Sequence, residues 1–309
     1  MTGGPQAQLL DDGKRLHLQH GPIDLIIEAW GPQREIQQAY ELAIARFQTI
    51  LDELVEELPL LRNPVSQTSE KPIGIIAQRM HQAALPFASQ FITPMAAVAG
   101  SVADEVLAAM REINGLHKIY VNNGGDIAIY IQPDSAHSFC IGVVGDPRSG
   151  RFITKANIEA GSNIGGIATS GWSGRSHSLG IADSVTVFAK NAALADAAAT
   201  IIANAVNLPN CPKISRTQAS ELWPDSDLRC QLVTTGVKAL SQAEISLALD
   251  NGETTAQDLF NNGLFKAAFI SLNNQDRIIG WASSPADNIP QNIHTPKLPH
   301  KPEYRSPYA

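Results

Sequence analysis

Asp196 and Thr200 stand four residues apart in the run Leu194-Ala195-Asp196-Ala197-Ala198-Ala199-Thr200. On a helix that spacing stacks two side chains on one face. A carboxylate and a hydroxyl so placed, among alanine, leucine and isoleucine, form a small hard-oxygen site. Such a site suits Mg²⁺, which keeps several waters and takes further ligands from substrate phosphates. Spacing alone also allows plainer roles: Asp196 capping a neighbouring loop, and Thr200 bonding back to its own helix. Glycines crowd the segment from Gly161 to Gly180, offering backbone that a phosphate-bearing ligand could approach closely.

Three other stretches carry candidate chemistry. His177, in Gly174-Arg175-Ser176-His177-Ser178, has an ordinary pKa near neutrality and could accept a proton from a nucleophile, or serve only as a surface-loop hydrogen-bonding group. Asn123-Gly124-Gly125-Asp126 reads as a tight hairpin turn or as the lining of a cleft. Thr169, Ser170 and Gly171 offer hydroxyl and N–H donors to pyrophosphate oxygens, or form a structural turn. The expectation is that Gly125, Ser170, His177 and Asp196 face one concave site.

In order and spacing these stretches resemble the ApbE-type proteins, the FAD:protein FMN transferases. The resemblance rests on Tyr120 to Ile127 with its Asn-x-Gly-Gly-Asp turn, on Ala168 to Gly171, on His177 with Asp183 to Val187, and on Ala195 to Thr200. It covers residues 91–207. It implies an α+β fold, with a core of antiparallel sheets packed with helices (T-fold-like), and a flavin-nucleotide cleft. It also implies Mg²⁺ on Asp196 and Thr200 with a backbone carbonyl near Ala97, FAD as the nucleotide, and His177 deprotonating an acceptor hydroxyl. Asn123, Gly124, Gly125, Asp126, Thr169, Ser170 and Gly171 would then line the FAD. Departures accompany the match. No lysine precedes the Gly100–Asp104 stretch, no proline follows Asp183, and the family's N-terminal flavin motif is not recognisable in residues 1–90. The chain is most similar to the uncharacterised ApbE-like branch. Three functions stay open: FMN transfer from FAD to a protein acceptor or to water, non-enzymatic flavin or metal binding, and a different enzyme on this scaffold connected with homocysteine and reduced sulfur.

With 309 residues, 44% hydrophobic and 17% charged, the chain can bury a large core. A net charge of −7 argues against nucleic acid as a main partner, because phosphate backbones call for a basic face. Cys140, Cys211 and Cys230 lack metal-type spacing and read as reduced thiols. The absence of an apolar leader, a lipidated cysteine or a long uncharged run points to the cytoplasm and away from membranes. Oligomeric state is left open.

The elements that must position these residues follow from periodicity and breakers. Leu16–His20 and Ile23–Trp30 read as a hairpin, and Gln33–Leu58 as a helix with Ile36, Tyr40, Ala43, Phe47, Ile50, Leu51 and Leu54 on one face. Helices are expected from Pro72 to Ala84 and from Val98 to Ile113, and strands at Lys118–Asn122, Ile127–Ile131, Phe139–Val144 and Phe152–Ile158. A β-branched strand and an alanine-rich helix follow across 183–206. Ser241-Gln242-Ala243-Glu244 is a capping-box start for a helix to Asp250, and Lys266–Leu272 with Ile278–Ala282 forms a closing hairpin. Val102-Ala103-Asp104 echoes Leu194-Ala195-Asp196, which suggests two similar α/β units with Asp104 and Asp196 at the ends of related helices. Residues 1–283 are read as one compound domain, and 284–309 as a proline-rich tail with little regular structure.

Overall fold

The computed structural model describes residues 3–174 and 176–280; the proline-rich segment 284–309 lies outside the described residues. Strands β1 (Gln6–Leu9), β2 (Leu16–His20) and β3 (Ile23–Trp30) precede helices α1 (Gln33–Glu56), α2 (Leu58–Leu61), α3 (Ile75–Ala84) and α4 (Val98–Met110). Then come β4 (Lys118–Asn123), β5 (Asp126–Ile131), β6 (Ser138–Asp146), β7 (Arg151–Glu159), β8 (Gly166–Ser170), β9 (Ser184–Ala189) and α5 (Ala192–Ala205). The chain continues through β10 (Ile214–Gln218), α6 (Ala219–Leu222), β11 (Leu232–Val237), α7 (Gln242–Asn261), β12 (Ala267–Leu272) and β13 (Gln275–Ile279).

Nine strands form one sheet in the order β1-β2-β3-β4-β5-β8-β9-β12-β13, and every neighbouring pair is antiparallel. The fold is α+β, as the motifs implied. Two units of the same plan lie side by side: β2–β3, α1, α4, β4–β5 and then β8–β9, α5, α7, β12–β13. Only two register pairs, Ile127↔Ile167 and Ala128↔Gly166, join them at β5 and β8. The echo that suggested two units matches α4 to α5, yet α4 is the second principal helix of its unit and α5 the first of its own. Those two helices are therefore not topological equivalents. They meet at the junction.

Alternation builds the layers. Along β3 the burial pattern switches at every residue, so Leu25 and Ile27 turn to the helices while Ile26 and Glu28 turn away. The predicted face of α1 is the observed one: Tyr40, Ala43, Phe47, Ile50 and Leu54 are buried, with Ile36 and Leu51 packed beside them. Helices cover one face of the sheet over two apolar clusters, one under α1 and α4, the other around α5 and α7. The separate β6–β7 hairpin lies on the opposite face, over Ile129, Ile167, Phe188 and Phe269.

Three expectations shift. Helix α7 runs to Asn261, not Asp250, because Gly252 is a packing position and not a terminator: a Cβ there would meet Val206 Cγ2 at 2.3 Å. The closing hairpin turns on Asn273 and Asn274 alone, both at positive φ (48° and 65°), which draws the last strand forward to Gln275–Ile279. Helix α4 stops at Met110. Among the described residues no helix is long and apolar enough to cross a membrane, and the three cysteines are free.

Candidate functional site at the junction of the two units

Helix α5 is buried almost all round, an alanine-rich rod between the sheet and α7. Its partly exposed positions are Asp196, Thr200, Asn204 and Ala205. The first three are spaced i, i+4, i+8 and form one polar stripe about 12 Å long, at 1.5 Å per residue. The sequence reading found its first two members and missed Asn204, although the same four-residue step leads to it.

At the N-terminal end of the stripe, Asp196 Oδ2 accepts the N–H of Gly100 from the first turn of α4 at 3.0 Å. Burial pushes the Asp196 carboxyl well above the usual carboxylate range; the charge of Asp126 and that of Asp104 add to this, while the N–H groups of Gly100 and Ala99 pull the other way. Asp104 mirrors this arrangement. Its two oxygens accept the N–H groups of Ala192 (3.0 Å) and Ala193 (2.9 Å) at the start of α5. Burial raises its carboxyl to about 6 against those two bonds. The same sequence offset separates Asp104 from Asp196 and Gly100 from Ala192, so each aspartate holds the opening turn of the other's helix. Gly100 lets the two turns touch: a Cβ there would lie 2.3 Å from the Ala192 carbonyl oxygen.

The Asn123–Asp126 turn closes the same end. Gly124 (φ 68°) and Gly125 (φ 118°) form the two-residue turn between the paired Asn123 and Asp126. Asn122 Oδ1 accepts the Gly125 N–H at 2.8 Å, and space above Gly125 is open. Asn123, buried, donates from Nδ2 to the carbonyl of Ala99 at 3.1 Å, which ties the turn to the α4 entry. Asp126 Oδ1 accepts the N–H of Thr169 at 3.3 Å. Asp126, Thr169, Gly125 and Asp196 are thus brought together, with Ser170 next in line on β8.

Two details depart from the sequence expectation. The hydroxyl of Thr169 lies on the sheet face that carries Ile167, where it pairs with Thr186 Oγ1 at 2.9 Å, so Thr169 presents its backbone toward Asp126 and not its side chain toward α5. The glycines upstream of α5 are largely packing positions. A Cβ at Gly165, Gly166, Gly171 or Gly180 would come within 2.0–2.4 Å of backbone atoms of Lys190, Ala192, Asp183 or Ala203. At these four glycines the chain's own backbone fills the space where the sequence suggests room for phosphate, while the space at Gly161 is open.

His177 sits at the other end of the stripe. Its neighbours are anchored on Asn204, whose Oδ1 accepts from Ser178 Oγ (3.2 Å) and from the N–H of Leu179 (2.9 Å). Strand β11 donates the Thr234 N–H to the Ser178 carbonyl. His177 is partly buried, and the two residues after it are fixed at Asn204, eight positions along α5 from Asp196. Asp183, at the base of the loop, accepts from Arg148 (2.8 Å), from the Asn273 N–H (2.6 Å) and from Trp172 Nε1 (3.4 Å). Its carboxyl is raised by burial against these bonds.

Carboxylate and hydroxyl oxygens on a solvent-reachable stripe fit a hard cation such as Mg²⁺. What surrounds the Asp196 carboxyl electrostatically is two further carboxylates and backbone N–H groups, and among the described residues no group of three or more His, Cys, Asp or Glu side chains is arranged to hold a metal ion.

These features define an α+β protein built from two antiparallel units with an acidic helix junction between them. Residues 7–278 match the model of the family described as AbpE bacteria, and the chain belongs to that family. The ApbE-like membership expected from the motifs is borne out. Relatives include a UPF0280 protein of Methanococcus maripaludis (strain C7), 38% identical over 149 residues, covering 47% of this chain and 59% of the relative. Another is a UPF0280 protein of Methanococcus vannielii, 39% identical over 172 residues, covering 54% of this chain and 68% of the relative. The first of these alignments thus spans under two thirds of the relative's own length. Among solved structures, the ApbE protein from Thermotoga maritima superposes with a TM-score of 0.41 at 13% identity, covering 66% of this chain and 88% of that one. The apo flavinyl transferase ApbE of Pseudomonas stutzeri gives 0.38 at 11% identity, covering 89% and 93%.

Proposed function

We propose that the protein binds a flavin nucleotide, FAD, through Mg²⁺ at the α4–α5 junction, and that it retains the scaffold of FMN transfer to a hydroxyl acceptor. The observation that carries this reading is the meeting of the Asp196–Thr200 stripe with the Asn123–Asp126 turn at one end of α5. Asp196 and Thr200 would hold the cation, which when bound supplies charge neutralisation for a pyrophosphate. Gly124, Gly125 and the backbone of Thr169, Ser170 and Gly171 would line the nucleotide. His177, held through the Asn204-anchored loop, would take the proton of the attacking hydroxyl, from a protein threonine or from water.

Titration calorimetry with Mg²⁺ in the presence of FAD tests the binding half. Asp196→Ala should abolish the heat of binding while circular dichroism stays unchanged; equal affinity in both proteins removes the metal from the argument. Release of AMP from FAD in the presence of a threonine-bearing peptide tests the transfer half. His177→Ala should slow it by roughly 10²–10⁴. A second reading, a flavin- or metal-binding protein without the reaction, draws support from the upstream glycines, whose space is filled by the chain's own backbone. Flavin binding without AMP release would select it, and neither binding nor release would leave a different ligand on this scaffold.

A further inference from the structure

The reciprocal bonds between α4 and α5 assign a task to a residue outside the proposed ligand set. We infer that Asp104 is a positioning residue of the metal site: by accepting the N–H groups of Ala192 and Ala193 it holds the first turn of α5 against α4, and so holds Asp196 and Thr200 in register with the backbone that enters α4. This inference rests on the metal reading of Asp196 and Thr200.

The geometry leaves little freedom. Ala192 and Ala193 open α5, and the same turn has its next N–H, that of Leu194, taken by the Asn191 side chain at 2.9 Å. Asp196 begins the following turn and bonds back to Gly100. One carboxylate therefore fixes α5 to α4 and the other fixes α4 to α5, across a contact where Gly100 brings backbone against backbone. Removing the Asp104 bonds frees the helix end that carries the proposed ligands, while the apolar seat of α5 stays intact under Ala195, Ala198, Ile201 and Ile202. A partner group that orients a ligand without touching the metal typically accounts for 10–100-fold in metal affinity. Asp104 stands one step further out, acting through the helix backbone, so the lower part of that range is the expectation.

Mn²⁺ alone is the probe, with its affinity read by electron paramagnetic resonance on the full chain. Asp104→Asn keeps the volume but turns one acceptor oxygen into a donor, so one helix N–H loses its acceptor. It should weaken Mn²⁺ binding about tenfold or more and broaden the spectrum of the bound ion. Asp104→Ser, smaller and free of packing strain, is the second variant and must show the same loss. Ser101→Ala is the control: this buried hydroxyl of α4 has no hydrogen-bond partner, and its removal should leave the affinity unchanged. A purely structural Asp104 would lower the melting temperature of the metal-free protein and leave the Mn²⁺ affinity as in wild type; that result overturns the inference and spares the metal reading. Wild type that binds no Mn²⁺ overturns both.

Discussion

Gly100→Ala puts two physical effects in direct opposition. Replacing a glycine inside a helix with alanine normally stabilises it by about 1 kcal/mol. Here the added methyl would sit 2.3 Å from the Ala192 carbonyl oxygen, 2.5 Å from its carbon and 2.8 Å from the Ala193 nitrogen. All three are backbone atoms, so no rotamer change relieves the clash. Ordinary contact requires the two helix turns to separate by about 1 Å. That stretch also takes the Asp196–Gly100 and Asp104–Ala192/Ala193 bonds, now 2.9–3.0 Å, beyond hydrogen-bond range. Overpacking costs about 1–3 kcal/mol and each lost bond to a carboxylate about 1.5–3 kcal/mol, not additively. A net loss of about 3 kcal/mol after the helix gain is the expected result, which for a chain of this size lowers the melting temperature by about 5 °C. Reversible thermal and urea unfolding measure it. In a cycle with Asp104→Asn the double variant should lose at least about 1 kcal/mol less than the two single losses combined, because both changes break the same bonds. An unchanged or raised stability for Gly100→Ala would refute the close approach of the two helix turns.

Two further outcomes are expected. Burial raises the Asp104 carboxyl from 3.8 to about 6, so between those values the folded protein holds a proton that the unfolded chain has released; stability from this group is complete below about pH 4 and falls, by at most about 3 kcal/mol, as pH rises through 6. Asp104→Asn should flatten that part of the profile in urea unfolding at pH 4.5 and pH 7, and an identical slope in both proteins contradicts the assignment. Ser241→Ala removes the acceptor for the Glu244 N–H at the start of α7 and should cost about 1 kcal/mol in the same assay; no measurable change would show that the Glu244–Lys213 pair holds that end by itself.

Local rules made much of this fold legible. The α1 stripe, the β2–β3 hairpin and the Ser241–Glu244 capping box depend on residues within one element, and each stands as read. Strand β1 gives too weak a signal: its polar–apolar alternation spans only Gln6-Ala7-Gln8-Leu9, and all four residues are exposed. The β10–β11 pair carries as weak a signal: helix α6 lies between the two strands, so no hairpin turn marks them, and Leu232 at the start of β11 is exposed. In the candidate site the carboxylates could be named from the sequence, but their bonds could not. Asp104 and Asp196 reach backbone N–H groups 88 to 96 residues away, and a backbone N–H has no sequence signature. The glycines misled for a related reason: the atoms that crowd Gly166 and Gly180 belong to the two ends of α5, which only the fold brings alongside.

The same bonds bear on why the proposed nucleotide would need a cation at this junction. Helix N-termini ordinarily attract phosphate, because their first N–H groups lack partners. At this junction those groups are already engaged. Asp104 takes the N–H groups of Ala192 and Ala193, Asn191 takes that of Leu194, and Asp196 takes that of Gly100. What the two helix ends present is carboxylate, and Asp126 adds a third beside them. A bare pyrophosphate approaching this end of α5 would meet carboxyl oxygens where an ordinary helix terminus offers free N–H groups. A divalent ion would bridge the two sets of oxygens, drawing on Asp196 and Thr200 on one side and leaving its remaining positions to phosphate oxygens. On the proposed reading, nucleotide binding and metal binding at this junction would be one event, because the ion would supply the contact that the carboxyl groups alone deny to phosphate.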